Sequence, residues 1–140
     1  MFLLDTNVIS ETRRNKPHGA VLAWLRQAPS EGLYLSAVSF GEIQRGIELT
    51  RALDPVKADA IEAWANQLAD FHVVLPVDAS IYRRWARLMH GKPDHHQTDG
   101  LIAATALVNG LTVVTRNVKD FKLLVLHPSP GKAARILRKK

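Results

Sequence analysis

The sequence predicts an α/β fold, a parallel sheet of short strands with helices on both faces. Three observations predict it. Apolar runs of three to five residues recur along the chain and are too short for helices. Segments with apolar residues at helical spacing lie between them. The 140 residues contain no Gly- or Ser-rich linker, internal repeat or low-complexity block, so a single domain with one core is expected over 1–140. Strands that alternate with helices pair in parallel, because each helix serves as the crossover between neighbours.

Residues 2–4 read as the first buried strand. Residues 7–14 begin a helix that Pro17 stops. Residues 18–27 carry Val21, Leu22, Trp24 and Leu25 at helical spacing, ending near Pro29 and Gly32. Residues 33–35 form a second strand. Ser36 suits the N-cap of a helix that carries Val38, Ile43 and Ile47. Asp54-Pro55 marks a turn. Residues 56–71 return as the second arm of a helical hairpin, with Ile61, Trp64, Ala65 and Leu68 on one face. Residues 72–77 read as a strand, and 79–89 as a helix with Ile81, Trp85 and Leu88 inward. Residues 91–97 are polar and loop-like. The helix over 98–109 is apolar nearly all round, which marks it as buried, and Gly110 occupies a C-cap position. Strands at 111–115 and 123–126 complete the sheet. A basic tail, about 128–140, carries Lys132, Arg135, Arg138, Lys139 and Lys140.

Composition narrows the function. No apolar run approaches the roughly 20 residues of a membrane-crossing helix. The apolar start is interrupted by Asp5 with no basic segment ahead of it, so no secretory signal is expected. The absence of cysteine excludes disulfides, thiolate metal sites and cysteine nucleophiles, and agrees with a cytoplasmic location. Lys and Arg number 19 against 13 Asp and Glu, a net charge of +6 that favours polyanionic partners such as nucleic acid. The tail reads equally well as a solvated, solubilising segment.

Against this basic background, a few acidic and amide residues fall where a parallel sheet gathers ligands, beyond the carboxyl ends of its strands. Asp5 directly follows the first strand. Asn117 and Asp120 follow the strand that ends at Thr115. Glu42 shares a helical face with Ser39, Ile43 and Gly46, and Gly46 clears space beside it. Asp99 lies in the first turn of the buried helix, where the helix dipole favours a carboxylate, with Gly100 opening an approach. Each residue has an ordinary structural reading as well. Asp5 or Thr6 can cap the next turn, Glu42 can pair with Arg45, and Asn117 or Asp120 can shape a turn. Together they fit one sheet edge, and a hard divalent cation is the natural partner for several clustered carboxylates.

The stretches LLDTNVIS, LSAVSFGEIQRG, TDGLIAATA and VVTRNVKDF span essentially the whole chain. In that order they resemble the PIN-domain ribonucleases, and among these the VapC-like toxins of VapBC toxin–antitoxin systems, with a FitB-like pattern. The resemblance implies a three-layer α/β/α sandwich with a short-stranded, mostly parallel central sheet. It implies a toxin that acts as a Mg²⁺-dependent endoribonuclease, with Mn²⁺ as a plausible substitute, and inhibition by a cognate VapB-like antitoxin. It further implies a homodimer and toxin–antitoxin hetero-oligomers. By motif, Asp5, Glu42 and Asp99 match the metal-gathering acids. The fourth position is Asn117, with Asp120 nearby, where the family usually has Asp. Thr6, Asn7 and Thr115 resemble polar residues that line the pocket.

Such a site would turn a metal-activated water on an RNA phosphodiester, leaving a 5′-phosphate and a 3′-hydroxyl. Arg13, Arg14, Arg45 and Arg116 are candidates to guide the RNA backbone. His95 and His96 read as loop residues rather than a metal pair. Trp24, Trp64 and Trp85 read as packing residues rather than base-stacking platforms. Two other classes compete. One is a catalytically silent nucleic-acid-binding or regulatory module that acts with its antitoxin. The other is a phosphoaspartate enzyme, disfavoured because position 7 is Asn where a second Asp would be needed.

Overall fold

The computed structural model describes residues 1–17, 19–28, 32–94 and 97–116, together with the backbone of a strand at Arg135–Ile136. Five strands form one sheet: β1 (Phe2–Leu4), β2 (Leu33–Ser36), β3 (Val73–Leu75), β4 (Thr112–Thr115) and β5 (Arg135–Ile136). Their order is β3-β2-β1-β4-β5, and every ladder is parallel. The chain therefore builds outward from β1 in one direction, then returns to lay β4 on the other side of β1. That reversal between β1 and β4 is a topological switch point, where open α/β sheets form a crevice.

Helices α1 (Thr6–Ile9), α2 (Gly19–Gln27), α3 (Ala37–Arg51), α4 (Pro55–Phe71), α5 (Ala79–Met89) and α6 (Gln97–Asn109) make the outer layers. Successive strand residues point to opposite faces, which sorts the core in two. Leu3 and Val113 face Ile102, Ala103 and Ala106 of α6, with Leu88 and Met89 of α5 packed alongside. Leu4, Leu33, Leu35 and Val114 face Val8, Ile9 and Val21, with Trp24, Trp64 and Leu68 alongside. A third cluster, Ile43, Ile47, Ala58, Ile61 and Ala65, joins α3 to α4 as the expected helical hairpin.

Local chemistry sets the boundaries. Ser36 caps α3 as expected, its hydroxyl accepting the Val38 N–H at 3.1 Å. The strand expected at 72–77 is limited to Val73–Leu75, because Pro76 has no N–H for the ladder and Asp78 caps α5 through the Ile81 N–H. The helix expected from residue 7 divides into α1 and a 3-10 turn at Ser10–Arg13. Gly110, at φ +66°, closes α6, with the Leu111 N–H donating to the Ala106 carbonyl at 2.8 Å. The strand expected at 123–126 lies outside the described residues. Among the described residues the fifth strand is Arg135–Ile136, so part of the basic tail pairs with β4. Among the described residues, no helix is long and apolar enough to cross a membrane.

Candidate metal centre

Asp5 stands where β1 hands over to α1, on one side of the switch point. Its backbone N–H donates to the Val114 carbonyl at 2.9 Å, so the residue is fixed to β4 before its side chain is considered. Its Oδ1 accepts the Thr6 N–H at 2.8 Å, and its Oδ2 accepts the Thr115 hydroxyl at 2.7 Å. Both readings of the sequence therefore hold: Asp5 caps α1, and it also sits at the ligand edge of the sheet. It is only 4% exposed. Burial pushes its carboxyl up to about 6, and the Asp99 and Glu42 carboxylates push the same way, against the two hydrogen bonds that favour the ion.

Those neighbours show that the fold brings Glu42 and Asp99 to Asp5. Glu42 lies on α3 with its side chain exposed, and the Thr6 hydroxyl donates to its Oε1 at 2.8 Å. The same hydroxyl lies 2.8 Å from the Ser39 oxygen, which is fully buried one turn before Glu42. Asp99 is half-buried in the first turn of α6. Gly100 does not open an approach for a ligand, as its sequence position suggested. A Cβ there would meet Met89 Sδ at 2.6 Å, so the glycine serves the close packing of α6 on α5. Gly46, by contrast, has no neighbour within 4 Å of the point a Cβ would occupy, and it walls a cleft of about 310 Å³ with Thr6, Ser10, Arg13, Glu42 and Trp64.

The donors facing this edge are all oxygens: the Asp5, Glu42 and Asp99 carboxylates and the Thr6 and Ser39 hydroxyls. That set suits a hard cation such as Mg²⁺, which takes one or two carboxylates and keeps several waters. A buried carboxyl whose ionisation is suppressed also gains most from a cation beside it. Among the described residues, no group of three or more His, Asp or Glu side chains is arranged to hold a metal ion, so the described acids by themselves make an incomplete ligand set. The fit is to an open, water-rich site anchored on Asp5. Asn117, Asp120, His95 and His96 lie outside the described residues.

Several residues have roles the sequence did not disclose. Glu11 is a carboxylate only 1% exposed, bonded by the Arg116 guanidinium and by Arg14 at 3.1 Å. Arg14 and Arg116, two of the candidates to guide the RNA backbone, are both paired with Glu11. Arg13 stacks over the Trp64 ring at 5.7 Å, and Trp64 donates to the Thr12 hydroxyl at 3.3 Å. Asn7 braces the backbone, accepting the Arg116 N–H at 3.3 Å. Trp24 packs edge-on against Phe2, and the Trp85 indole donates to the Gln97 carbonyl at 3.0 Å, as packing residues do.

Comparison with known proteins agrees with this geometry. Toxin FitB of Neisseria gonorrhoeae is 41% identical over 130 residues, covering 86% of this chain and 91% of its own. The VapC ribonuclease Y4jK of Sinorhizobium fredii is 35% identical over 133 residues, covering 87% and 91%. The solved structure of FitAcB from Neisseria gonorrhoeae matches with a TM-score of 0.81 at 33% identity, over 96% of this chain and 97% of that one. A toxin–antitoxin complex from Klebsiella pneumoniae shares the fold at 20% identity, with a TM-score of 0.70. The PIN domain family model matches residues 2–124, and with a sheet that reverses at β1 and a buried aspartate at that reversal, the chain belongs to the PIN-domain family.

Proposed function

We propose that this chain is the toxin of a toxin–antitoxin pair, an endoribonuclease that hydrolyses RNA phosphodiester bonds with Mg²⁺ or Mn²⁺. The observation that carries the reading is Asp5: a carboxyl raised to about 6 by burial and by two neighbouring carboxylates, at the switch point of the sheet. Asp5 would hold the cation, with Asp99 and Glu42 as the neighbouring acids. Either Asn117 or Asp120 serves as the fourth position. When bound, a divalent cation supplies Lewis-acid activation of water and offsets charge on the phosphate.

The chain's own residues supply the rest. Thr115 and the Thr6 N–H hold the two Asp5 oxygens in fixed directions, so no reorganisation is needed when charge develops. The Thr6 hydroxyl orients Glu42, and Ser39 supports that hydroxyl from within the core. Glu42 is exposed and is the acid best placed to take a proton from water at the cleft. The net charge of +6 draws the RNA backbone to the protein.

The relatives' names and the solved complexes support a VapB-like or FitA-like antitoxin as partner in a toxin–antitoxin complex; the homodimer within that complex rests on the family resemblance. The test uses antitoxin-free protein with labelled single-stranded and structured RNA, in Mg²⁺ and in EDTA. Cleavage is expected in Mg²⁺, lost in EDTA, and lost in Asp5→Asn and Asp99→Asn. Cleavage that survives both substitutions refutes the metal-carboxylate site. RNA retained without cleavage, with or without metal, identifies a silent binding module instead.

A further inference from the structure

We propose that Glu11 is a positioning residue of the nuclease site, acting through Arg116 on Thr115, the β4 residue whose hydroxyl holds Asp5. The proposal rests on the nuclease reading above and adds a residue to it.

A carboxylate that is 1% exposed is costly to bury unless charge and hydrogen bonds compensate it. Glu11 meets that demand with two guanidiniums of different character. Arg14, three residues on, is 61% exposed and adds a surface contact. Arg116 is 25% exposed and comes from the far end of β4, 105 residues away. A charge-assisted bond to a guanidinium is directional, so Glu11 fixes where the Arg116 side chain can lie.

The same short segment holds β4 at two further points. Asn7 accepts the Arg116 backbone N–H, and Asp5 accepts the Thr115 hydroxyl. Asp5, Asn7 and Glu11 thus bind Thr115, the Arg116 backbone and the Arg116 side chain in succession. The outermost tie is the only charged one of the three. It clamps the chain as it leaves the sheet, next to the hydroxyl that orients Asp5 and one residue before Asn117. A loosened exit from β4 moves the Thr115 hydroxyl, and with it the Asp5 carboxylate that would hold a cation.

The experiment compares Glu11→Gln, Arg116→Gln, their double variant and Arg14→Gln in full-length, antitoxin-free protein. Steady-state cleavage of a short RNA in Mg²⁺ and Mn²⁺ binding by electron paramagnetic resonance are both read. Glu11→Gln is expected to lower kcat by about tenfold or more and to weaken Mn²⁺ severalfold, with KM within about twofold. The double variant is expected to lose no more than the worse single change, because the pair acts as one unit. Arg14→Gln is expected to keep Mn²⁺ affinity and kcat within about twofold of the parent, any effect of this exposed guanidinium on RNA falling on KM. The double variant leaves no unpaired buried charge, so it carries the test if a single variant does not fold. A folded double variant with parental kcat and Mn²⁺ affinity overturns the positioning role alone. A parent chain that neither cleaves RNA nor binds Mn²⁺ overturns the nuclease reading, and this role with it.

Discussion

Replacing Asp5 by Asn should stabilise the metal-free protein at neutral pH while abolishing its activity. The Asp5 carboxyl is raised from 3.8 to about 6, burial being the largest cause. A raised acid pKa favours folding while the group is protonated, and that contribution is lost as pH rises through the folded value. Between pH 4 and 6 the unfolded chain has released the proton and the native chain still holds it, so stability falls with rising pH. About two units at 1.36 kcal/mol each put the loss at about 3 kcal/mol above pH 6. Asn carries no charge and still caps α1. Its amide faces the Thr115 hydroxyl, which must turn its proton elsewhere, at about 1 kcal/mol. In EDTA at pH 7.5, Asp5→Asn should therefore exceed the parent by about 2 kcal/mol, or roughly 6–8 °C in Tm. Below pH 4 the advantage should vanish and reverse by about 1 kcal/mol, since both carboxyl states are then neutral. Thermal unfolding by circular dichroism from pH 3.5 to 7.5 reads the crossing directly. Added Mg²⁺ should raise the Tm of the parent and leave that of the variant unchanged. A variant less stable than the parent at every pH, or a gap that does not change with pH, would refute a carboxyl held neutral by burial.

Thr115→Val removes a hydrogen bond that favours the Asp5 ion, so the acid limb of the rate–pH profile should move up by about one unit; Thr115→Ser should leave it in place. Two glycine substitutions should differ in sign on urea unfolding. Gly46→Ala, with open space around its Cβ, should gain about 0.5–1 kcal/mol of helix stability, whereas Gly100→Ala drives a Cβ towards Met89 and Trp85 and should lose about 1–3 kcal/mol. Raising salt should raise KM for RNA steeply and leave kcat nearly unchanged, because the +6 charge acts in association rather than in chemistry.

The element order was legible because short apolar runs and helical spacing are local signals, and through β4 the structure keeps the elements within a few residues of their expected places. Asp5, Glu42 and Asp99 were legible for a related reason. Each interrupts or opens an apolar segment, where a charge has to be accounted for. Glu11 gave no such signal. In SETRR it looks like one more surface charge beside two arginines, and only the pairing of β1 with β4 brings Arg116 to it. Ser39 was hidden for the converse reason: a hydroxyl on an amphipathic helix reads as neutral until its neighbour Thr6 is known. Gly100 was misread because the sequence shows a missing side chain but not the methionine that fills the space. For the fifth strand, the stronger apolar signal at 123–126 drew attention from Arg135–Ile136, whose charged surroundings look like tail.

The central place of β1 carries a consequence for synthesis. Its first partner, β2, follows within about thirty residues, but Asp5 meets Thr115 only across a separation of 110 residues. Contacts so distant in sequence form late, after the loop between them has been made. On a ribosome adding roughly 5–20 residues per second, several seconds to about twenty separate the appearance of the first carboxylate from that of its partner strand. On the proposed function, the site is complete only once β4 has slotted in beside the strand made first.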